Sequence, residues 1–138
     1  PAFEPGFARD IECPRVVIAL DTSSSVTDTQ IDLFASEALG IQRRSIAEVH
    51  MMGFDTEVHA QLKLTSPDAI KRLELRRGGG TDFGPIFDAA QKLDPSLLVV
   101  LTDLDAPLPP TPRFPVIWAV PEAVSREPGF GTVLVMDR

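Results

Sequence analysis

The chain holds one cysteine, one tryptophan, two histidines and no tyrosine in 138 residues. A single cysteine, Cys13, cannot form a disulfide within the chain, which suits a reducing compartment and sets the cytoplasm as the expected location. The thiol itself reads as a packed or idle group. With so little His and Cys, a zinc-type centre lacks its nitrogen and sulfur ligands. No apolar run approaches the roughly 20 residues that span a bilayer, and no secretory signal opens the chain, so no membrane partner is expected. Basic residues are also scarce. Thirteen Lys and Arg against twenty Asp and Glu leave a charge of −7, the wrong sign for a phosphate backbone, and nucleic acid is set aside. The compact basic pairs, Arg43-Arg44 and Arg76-Arg77, close predicted helices, where cations suit the dipole. Neither a His-Glu-x-x-His helix nor a Gly-x-Ser-x-Gly elbow occurs, which removes metallopeptidase and serine-hydrolase chemistry from this stretch.

What remains is the composition of an ordinary globular domain, 43% hydrophobic and 24% charged, long enough for one good core. The expectation is a single domain over 1–138, with 1–14 as a lead-in. The first residue is Pro1, not Met, so the chain is expected to be part of a longer polypeptide.

"RVVIAL" (15–20) is a short continuous apolar run, as in a strand covered on both faces. Thr27, three residues before Gln30, has capping-box spacing and opens a helix that buries Ile31, Phe34, Ala35, Ala38 and Leu39 and ends at Arg43-Arg44. "EVHMMGFD" (48–55) and "EVHAQLKL" (57–64) lie too close for a parallel crossover, so they form an antiparallel hairpin. Ser66 and Pro67 open a short helix through Leu75. A glycine loop then leads to a helix over about 84–93 that buries Ile86, Phe87 and Ala90. "SLLVVLT" (96–102), "VIWAV" (116–120) and "TVLVM" (132–136) read as further strands, and the proline-rich "DAPLPPTPRFP" as neither helix nor central strand. The fold class is α/β: a doubly wound, mostly parallel sheet with one antiparallel edge hairpin and helices on both faces. In such sheets ligands gather beyond the carboxyl ends of the strands.

At that edge three segments converge: Asp21, Ser23 and Ser25 in "DTSSS"; Thr81 after Gly78–Gly80; and Asp103 after "VVLT". Spacing by two lets side chains of a tight loop face one way, and the glycines let the backbone bring Thr81 close. All are oxygen donors of low total charge, a set that suits Mg²⁺ (or Mn²⁺) in an octahedron completed by waters. Each segment has a plainer reading. "DTSSS" can be an N-cap and turn, Asp82 a helix cap, and Asp103 a strand end. His50 and His59 read as packed or surface residues and Trp118 as core. The three segments together, in order, favour a metal site.

"LDTSSSV", "GGGTDF" and "LLVVLTD", with the proline-rich loop before "FPVIWAV", resemble the von Willebrand factor type A (VWA) fold, in the group found at the C-terminus of bacterial metallopeptidase-type proteins. The likeness runs from Arg15 to about Val120. It implies a metal-ion-dependent adhesion site. Ser23 and Ser25 would ligate through their hydroxyls, Thr81 directly or through water, and Asp21 and Asp103 mainly through water while holding the serines. An open position would accept a carboxylate from a protein partner, such as a MoxR-type AAA+ ATPase or another part of the parent polypeptide. Two departures stand out: Ser24 and Leu104 occupy places where relatives often carry glycine, and Asp105 adds a further charge.

The expected function is therefore a non-enzymatic, metal-dependent protein-interaction domain. Two alternatives remain. One is a haloacid-dehalogenase-like Mg²⁺ phosphohydrolase using Asp103 and Asp105, whose spacing fits but whose following residues, Ala106 and Pro107, do not. The other is a structural VWA module whose site has lost its metal.

Overall fold

A computed structural model describes residues 14–44, 47–65, 78–122 and 127–136. The expected short helix at 66–75, Cys13 and the pair Arg76-Arg77 lie outside these residues. Strand β1 (Arg15–Asp21) is followed by helix α1 (Asp28–Arg44), the hairpin β2 (Glu48–Phe54) and β3 (Val58–Lys63), and helix α2 (Phe83–Leu93). Strands β4 (Leu97–Leu101), β5 (Val116–Val120) and β6 (Thr132–Val135) complete the chain order. They form one six-stranded sheet, ordered β3-β2-β1-β4-β5-β6. Every pairing is parallel except β2 with β3, so the expected sheet with one antiparallel edge hairpin is what the chain forms.

Both helix starts obey the local chemistry. At α1 the Gln30 amide donates to Thr27 Oγ1 (3.1 Å) while Gln30 Oε1 accepts from the Thr27 amide (3.0 Å), a complete capping box. At α2 the Asp82 side chain accepts from the Gly84 amide, capping the helix. Side chains of β1 alternate between two cores. Val16, Ile18 and Leu20 meet Leu33, Phe34 and Ala38 of α1. Val17 and Ala19 meet Phe83, Ile86, Phe87 and Ala90 of α2. A fully buried Phe34 contributes about 2–3 kcal/mol of apolar transfer to its side of the sheet.

The second core is aromatic. Trp118 on β5 is fully buried, edge-on to Phe83 (centroids 5.2 Å) and tilted against Phe87 (5.7 Å), and its Nε1 donates to the Phe130 carbonyl at 3.1 Å. Gly131 has φ +81°, and a Cβ there would lie 2.9 Å from Trp118 Nε1 and from the Val116 carbonyl oxygen, so only glycine fits without displacement.

β6 forms where the sequence places a last strand, and although its run is apolar all four residues are exposed and Leu134 keeps 54% of its surface. Position decides this. β6 is the last strand of the sheet, and α1 and α2 pack over its middle. The connection from β4 to β5, residues 102–115, crosses without a helix.

Candidate metal centre

The parallel register sets Leu20 beside Leu101, so the next residues, Asp21 at the end of β1 and Thr102 just past β4, stand side by side at the carboxyl edge of the sheet. Asp21 is fully buried. Its Oδ1 accepts from the Ser23 amide at 2.9 Å and its Oδ2 from the Thr102 hydroxyl at 2.6 Å. Both oxygens are thus engaged in shaping the loop. The short, charge-assisted bond to Thr102 is the strongest contact here. Thr102 Oγ1 also accepts from the Leu104 amide at 3.2 Å, so a buried relay runs from Leu104 through Thr102 to Asp21.

That relay fixes Asp103, which lies between its members. Leu104 is buried at φ +61°, a left-handed turn that costs a non-glycine residue about 1 kcal/mol or more. The leucine at this position therefore keeps a glycine-like backbone and adds a core side chain. Asp103 is half-buried and its Oδ1 accepts from the Asp105 amide at 3.1 Å, while the Asp105 side chain is exposed. Burial pushes the Asp21 carboxyl above the usual carboxylate range. The bonds from Thr102 and Ser23 oppose that shift, and the charge of Asp103 adds to it.

The hydroxyl loop sits above Asp21. Ser23 is buried, Ser25 exposed, and their Oγ atoms lie 3.3 Å apart. Neighbouring ligands on an octahedral Mg²⁺ with bonds of 2.0–2.1 Å lie about 2.9 Å apart. The two serines therefore need to close by only a few tenths of an ångström to share one ion. Thr22 points the other way: its hydroxyl donates to the Phe54 carbonyl (3.0 Å), so it is His59 Nε2–H that donates to Thr22 Oγ1 (2.9 Å).

The glycine loop is pinned against this turn. The Gly78 amide donates to the Thr22 carbonyl (3.1 Å), and the Gly79 carbonyl accepts from the amide (3.0 Å) and hydroxyl (3.1 Å) of Ser24. The Asp82 amide donates to the Asp55 carbonyl at 2.9 Å. Gly78 and Gly79 have φ +97° and +82°, as the loop requires. A Cβ on Gly79 would meet Asp55 Oδ2 at 3.2 Å. Thr81 lies between these pins, half-buried, and its hydroxyl makes no hydrogen bond among the described residues.

The structure thus gathers Asp21, Ser23 and Ser25 in direct contact, and places Asp103 near enough for its charge to act on Asp21. Thr81 is brought to the same edge by its backbone. Two residues escaped sequence reasoning. Thr102 looks like one more β-branched strand residue, though its place directly before Asp103 could have flagged it. Asp55, also buried, accepts the Glu57 amide at 3.2 Å while its backbone anchors Asp82. An acid in a hairpin turn gives no sign of that second duty. The described residues hold no group of three or more His, Cys, Asp or Glu side chains arranged for a metal. The oxygen set at this edge is a different kind, built mainly from hydroxyls.

A twisted sheet of order 3-2-1-4-5-6 with helices on both faces and a hydroxyl-rich turn after its central first strand defines a VWA-type α/β domain. The chain belongs to the family described as VWA-like domain (DUF2201), whose model matches residues 16–137. It is also similar to an uncharacterized protein of Thermotoga maritima, 32% identical over 100 residues. That match covers 72% of this chain and 25% of the relative, so the chain spans about a quarter of that protein's length.

Proposed function

We propose that this domain binds Mg²⁺ (or Mn²⁺) through Ser23, Ser25 and Thr81, with Asp21 and Asp103 holding the hydroxyls and the ion's waters. It is a non-enzymatic protein-interaction module. The observation that carries this reading is the pair of serine hydroxyls 3.3 Å apart above a buried carboxylate whose two oxygens are both engaged. Such an arrangement stores negative charge beneath a set of neutral donors. The donor set is right for a hard cation that keeps part of its water shell. A bound ion would supply an electrophilic position for a partner's carboxylate and let two acidic surfaces meet, which matters for a chain of charge −7.

The partner is a protein that presents an acidic side chain: a MoxR-type AAA+ ATPase, or another part of the parent polypeptide, which on this reading is a bacterial metallopeptidase-type protein. The cytoplasm is the proposed location. Among the described residues no helix is long and apolar enough to cross a membrane.

Calorimetric titration of metal-stripped protein with Mg²⁺ and Mn²⁺ tests the site, with Asp21→Ala as control. Saturable binding that the control loses, with far-ultraviolet dichroism unchanged, is the expected result. Equal binding by both proteins would place the ion elsewhere.

A further inference from the structure

The segment between β4 and β5 has a regularity that the metal reading does not use. From Pro107 to Pro112 every residue is either proline or directly precedes one. Proline fixes its own φ near −65° and drives the residue before it out of the helical region, so the run favours an extended, polyproline II-like backbone. Residues 107–114 make no hydrogen bond among the described residues, as that geometry requires. Two side chains tether the run: Leu108 and Phe114 are half-buried against the aromatic core, Phe114 stacked on Phe87 with centroids 6.3 Å apart.

Polyproline II repeats every three residues. Pro107, Pro110 and Arg113 follow that period and are exposed, as is Thr111 beside Pro110, while Leu108, Pro109 and Pro112 are half-buried. The outward edge is thus a Pro-Pro-Arg ridge about 19 Å long, at a rise of 3.1 Å per residue. Stiffening of the crossover is already supplied by the half-buried prolines and the two tethers. It does not explain why the exposed edge repeats proline and ends on a cation.

We propose that residues 107–113 form a recognition ridge that is bound by an aromatic-lined groove of a partner protein, with a carboxylate at one end for Arg113. Trp or Tyr rings pack between successive prolines and donate to the solvated backbone carbonyls, and a guanidinium pairs well with a carboxylate. The preformed segment loses little entropy on binding. The ridge begins four residues beyond Asp103 and leads from the carboxyl end of β4 towards the amino end of parallel β5, and its recognition does not require the metal.

The test places the photoreactive residue p-benzoylphenylalanine at exposed Thr111 of the full protein in native cells, with exposed Gln91 on α2 as the control position. The expected product is a crosslink from position 111 to a peptide containing Trp or Tyr in one identified protein. With that protein purified, Pro107→Ala/Pro110→Ala and, separately, Arg113→Glu each weaken binding about tenfold in the presence of chelator. The second variant leaves every proline in place, so a loosened loop cannot account for its effect. The proposal is overturned by no crosslink beyond that seen at Gln91, by a crosslinked peptide without aromatic residues, or by unchanged affinity in both variants. Loss of binding in chelator with no effect of either variant assigns the contact to the metal site instead.

Discussion

Thr102→Val is the most telling change at the sheet edge, because it keeps the side-chain shape and removes only the hydroxyl. Two buried groups lose a hydrogen bond at once: Asp21 Oδ2, which accepts at 2.6 Å, and the Leu104 amide, which donates at 3.2 Å. A hydrogen bond to a charged group contributes about 1.5–3 kcal/mol and a neutral one about 1 kcal/mol. The extra buried methyl returns about 0.8 kcal/mol. A net loss of about 2–3 kcal/mol is therefore expected, a large part of the 5–15 kcal/mol typical of a domain. Urea unfolding in chelator, followed by far-ultraviolet dichroism, should show a lower midpoint at unchanged slope. Thr102→Ser, which keeps the hydroxyl, should recover most of the loss. Combining Thr102→Val with Asp21→Asn should cost less than the sum of the two, since both cut the same bond. Strict additivity, or a loss under about 0.5 kcal/mol for Thr102→Val, would refute the relay as a strained-loop anchor.

Three further outcomes follow from the geometry. Leu104→Gly relieves a left-handed leucine by about 1 kcal/mol but removes a side chain that is 2% exposed, at about 2–4 kcal/mol; calorimetry should find the variant less stable, and equal stability would show that strain dominates. Gly131→Ala forces a Cβ to 2.9 Å from both Trp118 Nε1 and the Val116 carbonyl oxygen at φ +81°, and urea unfolding should show a stability loss of at least about 2 kcal/mol. The third concerns Glu48, whose Oε2 accepts from His50 Nε2 and Arg15 Nε, both at 2.6 Å. These bonds, that of His50 foremost, lower its carboxyl to about 2. Because the folded value is depressed, its contribution is present above the ordinary value of 4.5 and lost as pH falls towards 2. Glu48→Gln should flatten acid unfolding in that window and leave its shape above pH 5 unchanged.

Much of this was legible in the sequence because local chemistry and global fold agree. Thr27 and Gln30 announce α1 and bond as a capping box requires. The short gap between β2 and β3 allows only a hairpin. The oxygen residues fall at strand ends, and the sheet order then brings Asp21 beside β4. Three things were not legible. Thr102 acts through a partner 81 residues away, and a threonine ending an apolar strand carries no mark of that. Leu104 adopts a backbone state that its residue type disfavours, which only the surrounding relay makes worthwhile. The exposure of β6 depends on its being last in the sheet, and an apolar run reads the same at an edge as at the centre.

Trp118 is the only indole, and the chain has no tyrosine, so its near-ultraviolet emission comes from one ring. That ring is buried against Phe83, the first residue of α2, which follows Asp82 and the Thr81 loop without a break. Any ligand that draws Thr81 towards Ser23 and Ser25 also pulls on the end of α2, and so alters the contact between Phe83 and the indole. The protein therefore carries its own optical gauge of the sheet edge: one chromophore, unlabelled, packed on the first residue of the helix that the loop leads into.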